Sequence, residues 1–163
     1  MKIENRSKLD ISSITELLED FYPFAKKRLN FSKDPVLIFE TDLENSKKTL
    51  GKTAYYEPQN MHVTVFVDNR HPKDIMRSIS HELVHHSQNC HGQFDLNHGV
   101  GEGYAQNDEH LRKMEEQAYL EGNMCFRDWE DGYKSKHKDI FYERRVHKMS
   151  TKKWKNKELN GLL

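Results

Sequence analysis

Residues 71–92 read HPKDIMRSISHELVHHSQNCHG, and this stretch has one consistent local structure. Ile75, Ile79 and Leu83 recur every four residues, with Met76 and Val84 beside them, which is the apolar stripe of a helix packed on a core. Pro72 suits the first turn, where its missing N–H costs nothing, and Gly92 suits the left-handed residue that ends a helix. Two histidines follow from that periodicity. At 3.6 residues per turn, His81 and His85 share a face, and Glu82 lies about 100° round from His81.

The upstream chain reads as mixed α and β. Residues 11–30 repeat apolar side chains at helical spacing (Ile14, Leu17, Leu18, Phe21, Ala25), with Ser12 or Ser13 as caps and Glu16 placed to complete a capping box. Pro23 interrupts this pattern and is expected to kink or break the helix. PVLIFE (35–40) and MHVTVFVDN (61–69) read as strands, the second with Val63, Val65 and Val67 alternating against polar positions. A further short strand fits 52–57. After a glycine-containing loop (93–106), a long helix is expected from Asn107 or Asp108 to about Trp129, and DIFYERRVHKM suits another. The fold class is therefore α+β.

Residues 132–163 carry ten Lys/Arg against three Asp/Glu, although the whole chain is formally neutral. The expected division is a main domain at 1–131 and a basic, partly helical extension at 132–163. The neutral total gives no global field towards nucleic acid. The basic tail, with Phe141, Tyr142 and Trp154, is the segment that could contact it. No apolar run approaches the length of a membrane span. The N-terminal MKIENRSKLDISSITELLEDF lacks the apolar core of a signal peptide, and Cys90 and Cys125 do not make a disulfide framework. A cytoplasmic setting with reduced thiols is expected.

His-Glu-Leu-Val-His within a helix is the spacing that zinc hydrolases use. Two imidazoles reach one ion, and the glutamate reaches a water beside it as general base. A third protein ligand is needed. His91 has the metzincin spacing, but that pattern breaks its helix with a glycine where this chain has Gln88. On a continuous helix His91 lies about 240° from His85 and faces away. The other candidate is Glu115, in NDEHLRKMEEQAYLEGNMCFRDWED. It is the one charged residue on the stripe Leu111, Glu115, Ala118, Gly122, Cys125, Trp129, where an unpaired carboxylate is costly and a metal would be a partner. Ala118 and Gly122 allow another helix to approach. Glu115 is the expected third ligand, with Glu116 and His91 as alternatives.

HELVH followed thirty residues after His85 by Glu115-Glu116-Gln117-Ala118 resembles the gluzincin zinc peptidases, in particular the minimal, phage-associated ones. In that clan a Glu-x-x-Ala motif on a second helix supplies the third ligand. Tyr119 stands where the clan has Asp or Asn, the residue that orients a ligand histidine, so either another residue does that here or the site is looser. The resemblance covers residues 60–130 at most. It implies a zincin-like fold, with a small twisted sheet packed on the active-site helix. It also implies Zn2+ held by His81, His85 and Glu115, with Glu82 as general base. The sheet edge would bind an extended peptide by strand addition, with VTVFVD as that edge or its neighbour. His98 or Tyr104 is a candidate oxyanion donor. The remaining expectations are minor: His86 as a solvated or orienting residue, His62, His71 and His110 at the surface or in caps, and Cys90 as a small buried group. Two other functions fit the same residues: a non-catalytic, zinc-stabilised binding module with a basic tail for protein or nucleic acid, and a hydrolase of a non-peptide amide.

Overall fold

The computed structural model describes residues 1–49, 51–94 and 104–137, with residues 104–108 as backbone alone. The chain divides into two compact units, Met1–Arg127 and Asp128–Leu163, the division falling within the last helix.

The first unit is α+β. In chain order it runs β1 (Lys2–Asn5), α1 (Ser12–Arg28), β2 (Val36–Glu40), α2 (Leu43–Ser46), β3 (Ala54–Glu57), β4 (His62–Phe66), α3 (Pro72–Cys90) and the larger part of α4 (Tyr104–Lys136). The sheet is mixed, in the order β1-β2-β4-β3. β1, β2 and β4 are parallel, and β3 is antiparallel at one edge. Register aligns Leu37 with Val63 and Phe39 with Val65, four side chains with no exposed surface. Parallel neighbours of this kind are β-branched and apolar because both sheet faces are covered. Ile38 and Thr64, opposite each other on the other face, are almost as deeply buried.

α3 packs on β3, β4 and α1. Its apolar stripe is the expected one, with Ile75, Met76, Ile79, Leu83 and Val84 all buried. Pro72 opens the helix and the His71 ring accepts from the Lys73 N–H. At the other end, Gly92 takes φ +75°, the Gln93 N–H reaches Gln88 O and the Gly92 N–H reaches Asn89 O. That paired closure needs a residue free of Cβ strain. The helix is unbroken between His85 and Cys90.

Several expectations need correction. The capping box at Ser12/Ser13 and Glu16 does not form. Ile11 occupies the cap position without a side-chain bond, and Asp10 instead accepts from the Ser12 N–H at 2.9 Å. Pro23 does not end α1, which continues to Arg28. It lies on the exposed side, where water can meet the Glu19 carbonyl that loses its helical donor. β4 lies between β2 and β3, so of the two placements expected for VTVFVD the structure shows the second, next to an edge strand, β3. β1 was not legible in KIEN, whose one apolar residue, Ile3, is itself 36% exposed. α4 starts at Tyr104 and runs on to Lys136.

In the second unit the described residues are 128–137. Trp129 and Tyr133 lie 5.0 Å apart by ring centroid, Tyr133 stacks on His137 at 4.1 Å, and Lys134 pairs with Glu130. These one-turn contacts carry the helix through Gly132, which costs about 1 kcal/mol relative to alanine. The proposed helix in DIFYERRVHKM, the aromatics of the tail and His98 lie outside the described residues. No described helix is long and apolar enough to cross a membrane.

Candidate metal centre

α3 presents His81 and His85 one turn apart, with ring centroids 5.0 Å from each other. α4 brings Glu115 to both. Its carboxylate oxygens stand 3.3 Å from His81 Nε2 and 3.0 Å from His85 Nε2. Three potential ligand atoms from these residues lie within 4.8 Å of one another. The close approach of the helices depends on Gly122. A Cβ there would meet His81 Cα at 2.9 Å and His81 N at 3.1 Å, so even alanine would push α4 off α3. Ser80 Oγ donates to the Gly122 carbonyl at 2.7 Å and fixes that contact.

His85 is held by a residue whose role was not legible in the sequence. Gln88 Nε2 donates to Met114 O at 3.0 Å and to Gln117 Oε1 at 2.8 Å. A carbonyl can only accept, so the Gln88 oxygen must be the atom facing His85 Nδ1, 2.8 Å away. His85 therefore donates from Nδ1. In its neutral form Nε2 is then a bare lone pair, aimed at a carboxylate oxygen 3.0 Å away. Two acceptors in contact repel unless a cation lies between them, a proton or a metal ion. Two imidazole nitrogens and a carboxylate within 4.8 Å of one another are a donor set that could hold a metal ion. Gln88 thus fixes the orientation of the His85 ring. Its only sequence signal was a polar residue three positions after His85 on a helix, which is too common to single it out.

Replacing Gln88 by leucine is expected to keep the fold of α3 while lowering zinc affinity 10–100-fold, the usual effect of losing a hydrogen bond that orients a ligand. Competition with a chelator of known affinity measures this. Unchanged affinity would remove Gln88 from the site.

Glu82 lines the same cleft and is buried. Burial, and then the charge of Glu115, push its carboxyl up to about 8. Burial and the neighbouring His85 lower the His81 pKa, against the opposing pull of Glu115.

The alternatives sit elsewhere. His91 Nδ1 bonds to Ser87 O at 2.7 Å, and Glu116 is exposed outside the cluster. The stripe argument for Glu115 was sound in direction but not in detail. The buried positions are Met114, Ala118, Gly122, Cys125, Phe126 and Trp129, whereas Leu111 is exposed and the Glu115 side chain is 64% exposed at the margin. Glu115 is placed by what it faces, not by burial. His86 is neither solvated nor beside the cluster. It is fully buried, with Nε2 donating to Lys33 O at 2.6 Å and Nδ1 accepting from Tyr56 Oη at 2.8 Å. Burial lowers its pKa. Cys90 is half-buried with Sγ 3.5 Å from His86 Nε2, and neither cysteine is in a disulfide. His110 bonds to Gln93 O. The side chain of Tyr104 lies outside the described residues.

The cluster opens into a cleft of about 600 Å3 between β3, α3 and α4. β3 forms its wall. The Phe66 N–H reaches Thr53 O. In an antiparallel ladder the inward-facing residues alternate, so the backbone N–H and C=O of Ala54 and Tyr56 turn to the open edge.

No family model, curated protein or solved structure matches this chain.

Proposed function

We propose that the chain is a zinc-dependent metallopeptidase of gluzincin type with a zincin-like fold. His81, His85 and Glu115 would hold the ion, and Glu82 would be the general base and acid. The observation that carries this reading is the convergence of His81 Nε2, His85 Nε2 and the Glu115 carboxylate from two helices, with the His85 ring oriented by Gln88. Bound zinc supplies Lewis acidity, lowering the pKa of a coordinated water and polarising a carbonyl.

The chain's own residues divide the remaining work. Gln88 holds the His85 ring in one tautomer and one orientation. Glu82 accepts a proton from the attacking water and returns it to the leaving amine. Burial makes its carboxylate a stronger base once ionised, and a cation held by His81, His85 and Glu115 would favour that ionised form. The free groups of Ala54 and Tyr56 would pair with an extended peptide, which fits a main-chain substrate better than a small amide.

A catalytic site leaves one coordination position open, and a structural one closes it with a fourth ligand. Among the described residues no fourth His, Cys, Asp or Glu joins the cluster. Cys90 and His91, the nearest candidates in sequence, are turned to His86 and Ser87. This favours the peptidase over the zinc-stabilised binding module. The test is zinc content per chain with hydrolysis of a peptide library by the same sample. One zinc and cleavage are expected. One zinc without any cleavage would leave the binding module as the better reading, and no zinc after reconstitution would reject both.

A further inference from the structure

The two ends of the cleft differ in charge. β3 and α3 run alongside each other in the same direction. Arg70 bonds both Thr53 O and Ser78 Oγ, which ties the start of β3 to the first half of α3. Asn89 bonds Tyr56 Oη, which ties the end of β3 to the last turn of α3. The first end of the cleft carries Lys52 and Arg77, and the second carries Tyr56 and Phe94. The cluster of His81, His85 and Glu115 lies between.

Both cations are exposed side chains on fixed backbone. The Lys52 N–H donates to Asn45 Oδ1 and the Lys52 carbonyl accepts from Asn45 Nδ2, at 2.9 and 2.7 Å. Gly51 before it passes so close to Asn45 that a Cβ would sit 2.2 Å from that residue's carbonyl oxygen. Lys52 is thus anchored by its main chain, and its ammonium has no ion-pair partner among the described residues. Among the described residues Arg77 has one bond, to Asp74 at 3.1 Å, and its guanidinium lies over the Phe126 ring at 5.8 Å. A guanidinium has five N–H donors, so most of its capacity remains open. The only acidic side chains among the described residues lining the cleft are Glu82 and Glu115, both committed to the metal centre.

We propose that this end of the cleft is a carboxylate subsite, so that the substrate is a peptide bearing an acidic group on that side of the scissile bond. The carboxylate is either an Asp/Glu side chain or a free chain terminus. This rests on the peptidase reading for the identity of the substrate, but not for the binding itself. A fixed arginine and an unpaired lysine bind a carboxylate by charge-assisted hydrogen bonds.

The test uses acetylated, C-terminally amidated fluorescent hexapeptides in which one Glu is moved through every position of a Gln-rich frame. The frame with a free C-terminus is the second arm. Binding to zinc-loaded Glu82→Gln chain is read by anisotropy. About a tenfold tighter binding is expected for at least one Glu position or for the free terminus, weakening with salt. A gain confined to the free terminus assigns the subsite to a chain end, and a gain at an internal Glu assigns it to a side chain. The gain should vanish in Lys52→Gln/Arg77→Gln and turn into a preference for Lys-containing peptides in Lys52→Glu, a change at an exposed side chain. Equal binding of all peptides, or a gain that survives both variants, overturns the proposal. If the acidic peptide binds preferentially and wild type leaves it uncut, the peptidase reading fails and the subsite stands. If the chain takes no zinc, the same comparison on the metal-free chain decides the subsite.

Discussion

Glu82→Gln is expected to keep one zinc per chain and to lower peptide hydrolysis by roughly 10²–10⁴-fold, the usual share of a positioned general base. The substitution is close to isosteric, which matters at a buried position between packed helices. What it removes is the ability to accept a proton. It removes little else, because the environment of Glu82 already disfavours a bare charge: burial and Glu115 hold its carboxyl up to about 8. A neutral amide should therefore fold as well as the native side chain. Zinc content by elemental analysis and single-turnover rates on one sample separate the two effects. Wild-type rates in the variant would remove Glu82 from the mechanism, and loss of zinc would mean that Glu82 is a ligand.

The second large effect is expected at Glu115. Glu115→Ala should lose zinc outright, by far more than the 10–100-fold that follows from an outer contact, while Glu116→Ala and His91→Ala keep it. Stability separates the ligand role from a packing role. The Glu115 side chain is 64% exposed, so its removal should change the metal-free fold by no more than about 0.5 kcal/mol. Added zinc, which stabilises the folded chain by binding it selectively, should raise the melting temperature of wild type and leave that of Glu115→Ala unmoved. A wild-type zinc response in Glu115→Ala would reject the three-residue centre.

Gln88 connects these predictions. It joins His85 to Met114 O and Gln117, one turn or less from Glu115 on α4. The same side chain thus orients one ligand and locks the helix that carries another. Gly122 and Ser80 do the equivalent at the His81 end. The centre is rigid because two helices are pinned at both ends of it, which suits a site that must hold ligand geometry before the ion arrives.

How much of this was readable in advance depended on the range of the interactions involved. The stretch 72–92 announces its structure because every determinant is local: the apolar period, Pro72 at the start, Gly92 at the end. Placing His81, His85 and Glu82 on one helix follows from rise and turn alone. The strands β2 and β4 were legible for a similar reason, since their apolar content reports burial of both sheet faces. β1 was not, because KIEN is held by main-chain pairing to β2 while its side chains stay exposed. At Pro23 only the expected break is overturned, because the carbonyl left without a donor lies on the exposed side of the helix.

By itself, then, the sequence determined the helix that carries the two histidines, the general character of the α+β core and a short set of third-ligand candidates. Only the tertiary structure decided among contacts made by atoms far apart in the chain: that Glu115 rather than Glu116 or His91 meets the histidines, that Gln88 joins His85 to α4, and that β3 is the edge strand beside them. Periodicity fixes which side of a helix a residue faces. It carries no record of what stands opposite, because that is set by how α4 and β3 dock on α3.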